Sequence, residues 1–66
     1  MKIRVNGERR SLDSATTVGA LVDRLGVPRD GTAVALNARV VARSDLDATS
    51  VGDGDEIEII SAVAGG

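Results

Sequence analysis

The sequence has no cysteine, no histidine and no aromatic residue, and each absence removes a class of function. Without cysteine there is neither a disulfide framework nor a zinc–thiolate site. Without histidine the usual general base, the partner of an activated serine and the commonest metal ligand are missing. Without Phe, Tyr or Trp there is no platform on which single-stranded bases could stack. Ten acidic against eight basic residues give a formal net charge of −2, which also speaks against nucleic acid as a partner, since that requires a basic face. No apolar run approaches the roughly 18 residues of a membrane span. The opening Met1-Lys2-Ile3-Arg4-Val5-Asn6 alternates like a strand and does not read as a signal peptide. No membrane partner and a cytoplasmic location are therefore expected.

What remains is a small aliphatic chain. Its 66 residues make a single domain, 1–66. A chain of this size buries only roughly 60% of the surface that its unfolded form exposes. One core of Val, Ala, Leu and Ile fits, and an enclosed active site does not.

Lys2-Ile3-Arg4-Val5 has the period of a half-buried strand. Asn6-Gly7 then supplies two residues that tolerate positive φ, the requirement of a type I′ turn, and Glu8 to Leu12 reads as the returning strand. Thr17 is placed to cap a helix whose Val18, Leu21, Val22 and Leu25 share one face. Gly26 suits the helix end and Pro28 prevents continuation. Pro28 to Thr32 is a polar connection. Ala33 to Asn37 reads as a third strand, Asn37-Ala38 as a second tight turn, and Arg39-Val40-Val41 as a short strand. Arg43 to Val51 has no period and reads as a loop with one helical turn near Ser44 to Asp47. Gly52 to Asp55 is a turn, and Glu56 to Ile60 is the last strand, with Ile57 and Ile59 facing one way.

The order β-β-α-β-β-β, with one helix after the first hairpin, is that of an α+β, ubiquitin-like β-grasp domain. A mixed four- to five-stranded sheet, framed by the hairpin and the last strand, would pack against one main helix. Residues 61–66 would form a flexible tail.

In this order and spacing the chain resembles the ThiS family of thiamine-biosynthesis sulfur carriers. The resemblance covers essentially the whole chain. It is carried by Asn6-Gly7-Glu8 after the first strand, the helix Thr17-Val18-x-x-Leu21-Val22-x-x-Leu25-Gly26, the strand Ala33 to Asn37, Asp53-Gly54-Asp55 before Ile57, and the terminal Gly65-Gly66. Two positions depart from the family pattern. Many relatives have Asn-Gly where this chain has Asn37-Ala38, so a different turn is expected there. Many end in three glycines, whereas position 64 is Ala.

The resemblance implies a chemistry. A ThiF-type adenylyltransferase would use ATP to adenylate the carboxylate of Gly66, and sulfur from a cysteine desulfurase or other persulfide donor would displace AMP to leave a thiocarboxylate. Thiazole synthase would consume that sulfur. On this reading the chain is not an enzyme and binds no cofactor or metal; it is a co-substrate, monomeric when alone. The residue types suit the scheme. A carboxylate is a poor electrophile until adenylation gives it a leaving group, and glycine can thread a narrow channel in conformations closed to other residues. Gly66 would be the modified residue, Gly65 and Ala64 the threading segment, and Ile60 and Val63 candidates for docking on a partner. With no cysteine, the chain cannot carry sulfur as its own persulfide.

Other readings stay open. Val63-Ala64-Gly65-Gly66 matches the tail of the molybdopterin synthase small subunit, although those proteins are usually longer and place a Pro pair where Ser61-Ala62 stands here. A ubiquitin-like modifier would join Gly66 to a lysine of another protein. A non-covalent binding module would not need the last two glycines. Asp53, Asp55, Glu56 and Glu58 form an acidic cluster that reads as a docking patch or, more simply, as a turn and a solvated strand face. Arg4, Arg9, Arg10, Arg39 and Arg43 are scattered and read as solvated faces.

Overall fold

A computed structural model describes residues 1–61. The first hairpin pairs β1 (Lys2–Val5) with β2 (Glu8–Ser11), antiparallel. Its turn has Asn6 at φ +51° and Gly7 at φ +83°, the two positive values of a type I′ connection. Leu12 continues the pairing by donating its N–H to the Met1 carbonyl at 2.7 Å.

β3 (Thr16–Thr17) leads into α1 (Val18–Arg24). The Thr17 hydroxyl accepts from the Ala20 N–H at 3.1 Å, satisfying one of the free donors of the first turn. The helix ends at Leu25, and Gly26 follows at φ +74°. β4 (Thr32–Leu36) and β5 (Arg39–Val41) form a second antiparallel hairpin. A 3-10 helix (Arg43–Ala48) and β6 (Ser50–Val51) precede β7 (Glu56–Ser61).

The helical turn expected near Ser44 to Asp47 is present as this 3-10 helix, and the rest of the stretch read as a loop is more ordered than its lack of period implied. β6 pairs antiparallel with β3, Thr16 opposite Val51, and the Val18 N–H donates to the Thr49 carbonyl at 2.8 Å. Leu46 and Val51 are both buried in the core. Each is an isolated apolar residue, and periodicity cannot detect a residue that becomes internal through contact with a distant element, β3 for Val51 and α1 for Leu46.

The main sheet runs β2-β1-β7-β4-β5. The last strand lies at its centre rather than framing it: β7 is parallel to β1 and antiparallel to β4. Ile3, Val5, Val34 and Ile57 point to one face and meet Val18, Leu21 and Val22 of the helix, with Leu46 and Val51 closing the cluster. The core is aliphatic throughout, and no buried polar residue occurs among the described residues.

Arg29 fastens the far side of the helix. Its guanidinium reaches Asp23 through Nε at 3.1 Å and Nη2 at 2.9 Å, and Asp47 through Nη1 at 3.0 Å and Nη2 at 2.9 Å. The hydrogen bonds from Arg29 hold the Asp47 carboxyl below its ordinary value. This double fork links the end of α1 to the 3-10 helix and passes over Gly19, where a Cβ would collide with Asp47 Oδ1 and lie 2.8 Å from Arg29 Nη2. No helix among the described residues is long and apolar enough to cross a membrane.

Candidate functional site

β7 carries the chain toward its end, so the surroundings of β7 are the candidate site. Both neighbours are held in register along it. Arg4 lies opposite Glu56 and Val5 opposite Ile57 on the β1 side; Leu36 to Thr32 lie opposite Ile57 to Ser61 on the β4 side. Each end of the strand also receives a side chain from a hairpin turn. Asn37 Oδ1 accepts from the Glu56 N–H at 2.9 Å at the beginning. Asn6 Oδ1 accepts from the Ile59 N–H at 2.8 Å toward the end.

The face of the sheet opposite the helix bears the second feature. Alternation along β7 sends Ile57 and Ile59 to the core side and Glu56, Glu58 and Ile60 outward. Ile60 is 58% exposed. Its cross-strand neighbour Ala33 is exposed, Ala35 is half-buried, and Val40, opposite Ala35, is 78% exposed. Ile60, Ala33, Ala35 and Val40 therefore share the outward face over three strands. Val40 is absent from the sequence-based set; the adjacent pair Val40-Val41 in a short strand is the signal, since one of the two must face out.

The acidic cluster divides. Asp53 accepts from the Lys2 N–H at 2.6 Å. Asp55 accepts from the Gly52 N–H at 2.6 Å and from Asn37 Nδ2 at 3.0 Å. These two belong to the turn before β7. The donor at Asn37, and after it the Gly52 N–H, keep the Asp55 carboxyl below its ordinary value. Glu56 and Glu58 are exposed on the outward face. Among the described residues no three acidic side chains gather as a metal site. Of the predicted site residues, the structure places Ile60; Val63, Ala64, Gly65 and Gly66 lie outside the described residues.

Surface depressions of about 240 and 220 Å³ lie among the described residues. One lies by Lys2, Arg4 and Arg9, the other between Asn6, Leu25 and Ile59, and neither contains a nucleophile paired with a base.

A mixed five-stranded sheet with its last strand central and one main helix on one face defines a ubiquitin-like β-grasp domain. The crystal structure of a thiamine biosynthesis protein (ThiS) from Geobacter metallireducens superposes with a TM-score of 0.85 at 35% identity, covering 100% of both chains. SAMP1 from Haloferax volcanii matches with a TM-score of 0.61 at 22% identity, over 98% of this chain and 97% of that one, a likeness of fold alone. The ThiS family profile matches residues 3–66, and the chain belongs to that family. The sulfur carrier protein ThiS of Escherichia coli is 32% identical over the full length of both chains. A thiazole synthase of Paramagnetospirillum magneticum is 39% identical over 66 residues, and one of Magnetococcus marinus 35%; the chain spans 20% of the length of each.

The turn at Asn37-Ala38 departs from expectation. It is not a different type: Asn37 at φ +51° and Ala38 at φ +69° repeat the positive pair of the first hairpin, with alanine where glycine would sit without strain.

Proposed function

We propose that the chain is a sulfur carrier for thiazole formation in thiamine biosynthesis, a protein co-substrate and not a catalyst. The observation that carries this reading is the ThiS family match running from residue 3 to Gly66. The Gly66 carboxylate attacks the α-phosphate of ATP on a ThiF-type adenylyltransferase, releasing pyrophosphate. The terminal sulfur of a persulfide, drawn from a cysteine desulfurase or another donor, attacks the acyl carbon and expels AMP. A thiol then reduces the S–S bond and leaves the thiocarboxylate. The chain itself binds no cofactor; ATP is consumed on the partner.

Thiazole synthase is the acceptor. Two relatives of that name include a stretch similar to this whole chain within one longer polypeptide, which supports carrier and synthase working together. Exposed Ile60, with Ala33 beside it across the β4 ladder, supplies an apolar surface at the end of β7, suited to docking the adenylyltransferase. Val63 would extend that contact, and Ala64 and Gly65 would thread into the enzyme's site. This chemistry belongs to the cytoplasm.

Intact-protein mass spectrometry tests the reading. Incubation with adenylyltransferase, ATP and a persulfide donor should add the mass of an oxygen-to-sulfur exchange, confined to the C-terminal peptide. Removal of Gly65 and Gly66 should abolish the exchange. Undiminished sulfur transfer by that truncated chain would falsify the proposal, and accumulation of lysine-linked conjugates in its place would favour a protein modifier.

A further inference from the structure

Asn6 serves β7 twice at the point where the first hairpin leaves the sheet. Its backbone N–H donates to the Ile57 carbonyl at 2.9 Å, carrying the parallel ladder one residue beyond β1. In a regular parallel ladder the next bond would run from the Ile59 N–H to the Asn6 backbone carbonyl. Here Asn6 is left-handed, at φ +51°, and the chain is already turning into β2. The acceptor 2.8 Å from the Ile59 nitrogen is the Asn6 side-chain Oδ1. On the opposite edge, Ala33 and Thr32 hold Ile60 and Ser61. β7 is thus pinned from both sides within two residues of Ser61.

We propose that Asn6 is a positioning residue for loading of the carrier: its side-chain carbonyl fixes the end of β7, and with that the point from which the Gly66 carboxylate must reach its partner. The inference rests on the carrier reading above. Those five residues, 62–66, extend at most roughly 17 Å from Ser61. Releasing the end of β7 would lengthen the tether by about 3.4 Å per residue. It would also free backbone torsions that the partner's site must order again before reaction. Displacement of a reacting carbon by about 1 Å can cost on the order of 100-fold in rate.

Substitutions at Asn6 separate turn from anchor. Glycine adopts φ +51° freely, so Asn6→Gly keeps the hairpin and removes only the acceptor. Aspartate keeps an acceptor oxygen and tolerates the left-handed region, so Asn6→Asp preserves both. Asn37→Gly is the control, because Asn37 makes the matching bond to Glu56 at the far end of β7.

The experiment follows pyrophosphate release by the partner adenylyltransferase against carrier concentration, at a temperature where every variant is folded. For Asn6→Gly, kcat should fall roughly tenfold with KM changed by less than about twofold, because the outward face is untouched. Asn6→Asp should recover most of the loss, and Asn37→Gly should keep the wild-type kcat. Amide exchange at Ile59 should quicken in Asn6→Gly alone. A wild-type kcat in Asn6→Gly, or an equal fall in Asn37→Gly, overturns the inference and leaves the carrier reading standing. A wild-type chain that is not adenylated at all removes both.

Discussion

The two hairpin turns share a backbone path and differ in one residue. Asn6-Gly7 and Asn37-Ala38 both have positive φ at both positions, and in both the asparagine amide leaves its own hairpin to bind β7. Gly7 sits at φ +83° without steric cost, with open space for 4 Å around the position a Cβ would take. Ala38 holds φ +69° as an L-residue, a conformation that costs about 1–2 kcal/mol. Strain of this kind persists only where the surroundings over-determine it. Around Asn37 they do: its N–H donates to the Glu56 carbonyl at 2.8 Å, Oδ1 accepts from Glu56 N–H at 2.9 Å, and Nδ2 donates to Asp55 at 3.0 Å. The hydrogen bonds of the first turn residue impose the geometry, and the second turn residue only raises or lowers its cost.

The hardest way to break this comparison is Asn37→Ala. It removes both side-chain bonds and puts a second alanine in the left-handed region, and should cost about 2–3 kcal/mol. Urea unfolding should show a lower midpoint with an unchanged slope. Next comes a reciprocal pair. Ala38→Gly should stabilise, and Gly7→Ala destabilise, by about 1 kcal/mol each, or roughly 4–8 °C in Tm in opposite directions. Equal signs in calorimetry would mean that the two turns are not equivalent.

The smallest effect is acid sensitivity. A depressed folded-state value at Asp55 means that the unfolded chain takes up the proton first as pH falls below the ordinary 3.8, so this contribution is present above that value and is lost as pH drops through the folded one. Asn37→Gly removes the larger cause and should flatten that limb of a stability–pH curve. Asn6→Gly should leave it unchanged, because the described bond of the Asn6 side chain goes to a backbone N–H and not to a carboxylate.

Features made by neighbours in sequence are legible in the residues themselves. Asn6-Gly7 declares its hairpin, Thr17 its cap, and Val18, Leu21, Val22 and Leu25 their shared face. Features made by encounters across the chain are not. Leu46 and Val51 stand alone in an aperiodic stretch; Val51 becomes core when β6 meets β3, and Leu46 when the 3-10 helix packs against α1. Arg29 lies in a segment that reads as a plain polar connection, and its partners are 6 and 18 residues away. In the candidate site Ile60 is visible because it interrupts the alternation of β7. Val40 faces Ala35 within its own hairpin, so the Val40-Val41 pair signals it locally, whereas Asn6 gains its place from a strand that neighbours it only in the folded sheet.

By itself the amino-acid order determined the local elements, the purely aliphatic core and the absence of cysteine and histidine chemistry, because each follows from side-chain identity or short spacing. Only the tertiary structure decided that the last strand runs through the middle of the sheet, that an alanine occupies a glycine's conformation, and that two turn asparagines grip that strand at either end. Those outcomes depend on which backbone donors and acceptors remain unpaired once distant strands come together, and no window of sequence contains that information.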